Sequence, residues 1–132
     1  MTETYQDGDI EVALKATKCN TGDIIAFYYN NMILVKRVIA TSGQSVDIDA
    51  DGNVYIDGTL LEEEYISEKA LGECSIELPY QVPDGRYFVM GDHRIVSVDS
   101  RNEKIGCVSK DMIVGKVIAK VWPMKELAKR EE

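Results

Sequence analysis

Short apolar runs separated by Gly-Asp punctuation set the rhythm of this chain. The runs are IEVAL (10–14), IIAFYY (24–29), MILVKRVI (32–39), SVDID (45–49), NVYI (53–56), RYFVM (86–90) and MIVGKVIAKVW (112–122). They are rich in β-branched and aromatic residues, which fit a pleated, half-buried surface. DGDI, TGDI, DADGN, DG, PDG and GDHR stand around them as turn signals. Strands this short, so spaced, predict a mainly β fold: a barrel or sandwich of mostly antiparallel strands. YYNNMI reads as a hairpin turning at Asn30-Asn31, because Asn tolerates positive φ. DIDADGNVYIDG reads as a second hairpin. Residues 60–80 are more polar and read as an extended loop with one helical turn. The tail WPMKELAKREE places Pro123 in the first turn of a short C-terminal helix.

The stretch MILVKRVIA (32–40) does not fit a plain core strand. Side chains alternate along a strand, so Lys36 shares its face with Met32, Leu34, Val38 and Ala40. Two readings are open. The lysine snorkels to solvent at a sheet edge. Or it is held neutral by desolvation and can take a proton, for instance from a serine hydroxyl. A second dense stretch, YFVMGDHRIVSVDSR (87–101), sets Asp92, His93, Arg94, Ser97, Asp99, Ser100 and Arg101 behind an apolar strand. It is either a solvated turn with weak surface ion pairs, or a loop locked by bidentate Asp–Arg pairs. In the second case Ser97 could steer an amine.

Composition narrows the field. The chain has 132 residues, 45% of them hydrophobic and 29% charged, which is ordinary for one globular domain. A net charge of −8 argues against nucleic acid and against an electrostatic grip on anionic lipid. No apolar run approaches the roughly 20 residues of a membrane span, and no signal peptide opens the chain, so the chain as written is expected to be soluble. Three cysteines, Cys19, Cys74 and Cys107, are too few and too scattered for a disulfide framework or a metal pattern. His93 is the one histidine, which argues against a zinc site or a Ser-His-Asp triad. No cofactor and no metal are expected.

These stretches resemble the type I signal peptidases, membrane-anchored Ser-Lys proteases that remove signal peptides from preproteins. TGDIIAF (21–27) resembles the family's G-D-I-V-x-F strand. VKRVIA (35–40) resembles its K-R-V-[IV]-G box. NVYIDGTLLEEEY (53–65) resembles V-Y-[IV]-N-G-x-x-L-x-E-x-Y. VPDGRYFVMGDHRIVSVDSR (82–101) resembles the long V-P-x-G-x-[YF]-F-V-[ML]-G-D-N-R-x-x-S-x-D-S-R box, with His93 in the place of its Asn. The resemblance implies a signal-peptidase-like β-barrel, a fold also used by self-cleaving SOS-type repressors. It implies a catalytic domain over 1–121 and a helical tail over 122–132. It makes Lys36 the general base and Ser97 the serine that hydrogen-bonds it. It makes Asp92, Arg94, Asp99 and Arg101 the braces of the site.

The family's nucleophile lies in S-M-x-P-T-[LY]-x-x-G-D, and this chain opens MTETYQDGD. With Met1 on the box's Met, then Thr4, Gly8 and Asp9 fall into register, while Glu3 replaces the proline. The serine then belongs just before Met1. The expectation is a soluble piece cut after the nucleophile, lacking the N-terminal membrane anchor and cleaving nothing by itself. The alternative is a noncatalytic relative that acts as a peptide-binding module. Ser42 and Ser45 read as turn residues, not substitutes for the nucleophile. The resemblance implies a preprotein signal peptide as partner, docked as an added strand near 33–36, with Met1, Tyr5, Leu34 and Val35 around its P1 side chain. It puts the whole protein on a membrane, its catalytic domain on the extracytoplasmic face.

Overall fold

The computed structural model describes residues 11–12 and 18–118. Two antiparallel sheets carry the chain. The larger has six strands: β1 (Glu11–Val12), β10 (Ile113–Ile118), β2 (Ile24–Tyr29), β3 (Met32–Ala40), β8 (Arg86–Met90) and β9 (Val108–Ser109), in that spatial order. The smaller has four: β6 (Thr59–Leu60), β5 (Val54–Ile56), β4 (Ser45–Ile48) and β7 (Tyr80–Gln81). A 3-10 turn over Lys110–Met112 is the one helical element among the described residues. The C-terminal helix expected over 122–132 lies outside them.

Both expected hairpins form. β2 and β3 pair from Ile24↔Arg37 to Tyr29↔Met32. The chain reverses through Asn30 (φ 46) and Asn31 (φ 64), the left-handed region that Asn enters at little cost. β4 and β5 pair Val46 with Ile56 and Ile48 with Val54, closed by the Asp49–Asn53 loop. Asp49 fixes that loop by accepting from the Asp51 and Asn53 amides, at 3.0 and 2.9 Å. Residues 61–79 form an irregular connection with a tight turn at Glu63, where the Ile66 amide bonds the Glu63 carbonyl at 3.2 Å. This turn stands where one helical turn was expected.

β2 reads as an unbroken apolar run because both of its faces are covered. Ile25 and Phe27 pack with Val38, Val89, Val108 and Ile113 on one side. Ile24 and Ala26 pack with Val117 on the other. The two sheets meet over a second core in which Ile39, Phe88 and Met90 of the large sheet touch Val46, Ile48 and Val54 of the small one. Fully burying each such side chain is worth about 1.5–3 kcal/mol. β3 is thus clamped along its C-terminal half. β8 pairs with it at Arg37, Val38 and Ala40 only. Along Met32–Lys36, no described strand pairs with that edge of β3.

Candidate active site

The residues singled out from the sequence converge at the point where β3 emerges from β8. Lys36 lies directly across β2 from Ile25, on the face that carries Leu34 and Val38. Its residue is 9% exposed, so it is not an edge lysine snorkelling to water. Its Nζ lies 3.0 Å from Ser97 Oγ.

Ser97 Oγ also lies 2.9 Å from Asp99 Oδ2. Asp99 is paired with Arg101 and can only accept, so the single hydroxyl proton of Ser97 goes to Asp99. Ser97 therefore offers Lys36 a lone pair, not a proton. Lys36 Nζ donates to Ser97 Oγ rather than accepting from it.

The loop that presents Ser97 is fixed by buried charge. Asp99 accepts from Arg101 Nε and Nη2, both at 2.8 Å, and from the Gly91 amide at 2.9 Å. Arg101 also donates to the Leu71 and Ser97 carbonyls, at 2.7 and 3.3 Å. Arg94 Nη2 and Nη1 grip Glu63 at 2.6 and 3.1 Å, both side chains fully buried, and Arg94 Nε donates to the Gly91 carbonyl at 2.8 Å. Arg37 Nη2 and Nε hold Asp92 at 2.7 and 2.9 Å. Such planar pairs fix direction as well as distance. Among the described residues, every buried side-chain nitrogen and oxygen has a partner.

Gly91 makes the close approach possible. A Cβ there would run into Ser97 Oγ, stand 2.7 Å from Ser97 Cβ and 3.4 Å from Lys36 Nζ. A side chain at this position would push the serine off the amine.

Of the residues expected to meet substrate, Leu34 sits on the Lys36 face of β3. Val35 points to the other side of the strand, against Ile24 and Ala26. Met1, Tyr5 and the position before Met1 lie outside the described residues. Ser42 serves a turn: its Oγ accepts from the Gly85 amide at 3.0 Å and donates to Asp84 at 3.1 Å. Ser45 opens β4, its amide held by Asp57 at 2.8 Å. His93 is exposed. Cys19, Cys74 and Cys107 are free thiols. Among the described residues no cluster of His, Cys, Asp and Glu could hold a metal ion.

Three members of this network were given no role from the sequence: Arg37, Glu63 and Tyr65. Tyr65 lies under Arg37, whose Cζ is 3.8 Å from the ring centroid, and its hydroxyl donates to Glu63 Oε2 at 3.0 Å. Their signals were in view, as the Arg of KRV and the Glu and Tyr of L-x-E-x-Y, but only the fold pairs them.

A family described as signal peptidase, peptidase S26, matches residues 1–122. The chain is 33% identical to signal peptidase I of Bacillus licheniformis, over 99% of the chain and 76% of that protein. It is 32% identical to signal peptidase IB of Staphylococcus aureus strain COL, over 96% of the chain and 75% of that protein. It spans about three quarters of these relatives' lengths. The crystal structure of a signal peptidase I from Enterococcus faecalis superposes with a TM-score of 0.65 at 30% identity, covering 80% of this chain and 100% of that one.

Proposed function

The chain belongs to the signal peptidase family, peptidase S26, whose type I members are serine endopeptidases, and on that premise we propose that it holds the general-base half of a Ser-Lys dyad that cuts signal peptides from exported preproteins. The observation that supports this most is the Lys36–Ser97 contact of 3.0 Å on an apolar strand.

In this reading the attacking serine stands just ahead of Met1. Its hydroxyl oxygen adds to the scissile carbonyl, and neutral Lys36 takes the hydroxyl proton. The C–N bond then breaks, and Lys36 returns the proton to the leaving amine. Water enters, Lys36 takes its proton in turn, and the acyl-enzyme ester is hydrolysed. Ser97, with its own proton committed to Asp99, aims the amine by accepting from it. Asp92, Arg94, Asp99 and Arg101 hold the loop rigid while charge moves.

The substrate lies extended along Met32–Lys36, where β3 has an edge that no described strand fills, and adds there as a strand. Leu34 lines the shallow apolar room for a small P1 side chain, with Met1, Tyr5 and Val35 the other residues the family pattern assigns to it. Residues 1–121 form the catalytic domain, followed by the tail over 122–132. A segment ahead of the domain anchors it to the membrane, with the domain on the extracytoplasmic face. Among the described residues no helix is long and apolar enough to cross a bilayer.

The test is Lys36→Met in the natural full-length protein, assayed on a preprotein with Ala one and three positions before the cut. Cleavage is expected to vanish, and an acylating inhibitor is expected to label the parent. A parent that binds the peptide but is never acylated would be a peptide-binding module.

A further inference from the structure

We propose that Glu63 and Tyr65, on the connection leaving the small sheet, are positioning residues that hold Gly91 in place and through it the Lys36–Ser97 contact; this rests on the dyad reading above.

The geometry closes a ring. Arg37 chelates Asp92 through Nε and Nη2. Asp92 follows Gly91 in the chain, and the Gly91 carbonyl accepts from Arg94 Nε at 2.8 Å. Arg94 grips Glu63 with both terminal nitrogens. Glu63 accepts from the Tyr65 hydroxyl at 3.0 Å, and the Tyr65 ring lies under Arg37, where the ring began. Arg37 is the chain neighbour of Lys36. The ring therefore ties the strand that carries the base to the loop that carries its orienting serine, by a route that avoids both.

Gly91 is where this tension is read. Its amide is held by Asp99 and its carbonyl by Arg94, so it is pinned from both sides. The room beside its α-carbon is already filled by Ser97 and, at 3.4 Å from where a Cβ would stand, by Lys36 Nζ. A small drift of Gly91 therefore displaces the serine or the amine. Glu63 already has both oxygens on Arg94, so the Tyr65 hydroxyl is not needed to neutralise it. What the hydroxyl adds is direction. Burial, more than the Glu63 carboxylate beside it, pushes the Tyr65 phenol far above its ordinary range, so it remains a donor throughout the working pH range. Arg37, stacked on the ring, is restrained to the plane in which it meets Asp92 bidentately.

The experiment uses the natural full-length enzyme with two variants. Tyr65→Ala removes ring and hydroxyl, and Tyr65→Phe restores the ring alone. With sites counted by an acylating inhibitor, kcat per site is expected to fall at least about tenfold in Tyr65→Ala. KM is expected to stay within about twofold of the parent, because the substrate edge is untouched. Tyr65→Phe should regain part of the loss. The pH of half-maximal kcat, which reports the base in the bound complex, should move in Tyr65→Ala. Added to Ser97→Ala, Tyr65→Ala should cost little more, since both act on one amine. A loss of stability alone would lower the number of sites and leave kcat per site intact. Unchanged kcat per site in both variants, or a change confined to KM, overturns the inference. Should Tyr65→Ala not fold, Tyr65→Phe decides: lowered kcat per site supports the role, and parental kcat per site overturns it. Lys36→Met, run alongside, separates the two failures. If it retains cleavage, the dyad reading is wrong; if it is inactive while Tyr65 changes nothing, only this inference falls.

Discussion

Asp99 takes the hydroxyl proton of Ser97 at 2.9 Å, and that one bond decides what Ser97 can give Lys36. A serine whose proton is committed can only accept. Lys36 then donates to it at 3.0 Å. Ser97→Ala removes this acceptor from the Lys36 amine. A loss of about 10²-fold in kcat is expected, the scale of a misplaced proton-transfer group, with KM little changed. Ser97→Thr keeps an acceptor oxygen and should recover much of it. Steady-state cleavage of a preprotein peptide by the natural enzyme checks both.

Gly91→Ala tests the same contact from the other side. Its methyl would stand 2.7 Å from Ser97 Cβ and collide with the hydroxyl. The serine must swing away. Activity should fall by roughly 10²-fold or more, and overpacking should cost about 1–3 kcal/mol of stability. Thermal unfolding together with kcat separates the two effects. A folded and fully active Gly91→Ala enzyme would show that Ser97 has slack that the geometry denies.

Glu63 and Arg94 form a pair with no exposed surface. Glu63→Ala leaves a guanidinium buried without its anion. That should cost about 3–5 kcal/mol, read from urea unfolding. Replacing both together, as Glu63→Leu with Arg94→Met, should cost clearly less than Glu63→Ala, because no unpaired charge remains. Equal losses in the two proteins would mean that packing, not charge, sets the penalty.

Alkaline pH should unfold this domain through its thiol–phenol pair. The Cys107 thiol lies 3.7 Å from the Tyr80 hydroxyl. Burial pushes Cys107 above its ordinary 9.0 and pushes Tyr80 up to about 12. Both groups are thus held neutral in the fold, while in the unfolded chain they ionise at ordinary values. Their contribution is complete below the unfolded thiol value and is lost as pH rises through the folded ones. The urea midpoint should hold between pH 7 and 8 and fall by pH 10, and Cys107→Ala should flatten the first part of that fall. A midpoint that does not fall by pH 10 would count against the effect. Burial likewise raises Cys19, so a thiol reagent at pH 8 should reach half-buried Cys74 well before either buried cysteine.

Much of this was legible in the chain. The two hairpins follow from Asn30-Asn31 and from the Asp49–Asn53 turn, both local chemistry. The 82–101 stretch offered a braced loop as one of two readings, and within it Asp99 and Arg101 do pair. Lys36 was legible only as a question: alternation gave its face, but its burial also depends on the 91–101 loop, which is distant in sequence. The pairings made by braces from outside the loop were not legible. Glu63 meets Arg94 across 31 residues: the L-x-E-x-Y spacing marks Glu63 among its three glutamates, but not the arginine it pairs with. The side of β3 that carries Val35 was legible from alternation. Its neighbour Leu34 faces Lys36, and a strand that alternates must send Val35 the other way. The expectations for Met1, Tyr5 and the C-terminal tail fall outside the described residues.

The edge along Met32–Lys36, which no described strand fills, has a cost of its own. Backbone hydrogen bonds do not read sequence, so an edge that accepts one extended peptide accepts any other, including the same edge of a second molecule. Met32 and Ile33, both more than half exposed, would make that pairing sticky. The net charge of −8 works against it, since copies that repel at a distance seldom meet edge to edge. The acidity of this chain is then a safeguard against self-association, and salt, which screens it, should bring molecules together that dilute buffer keeps apart.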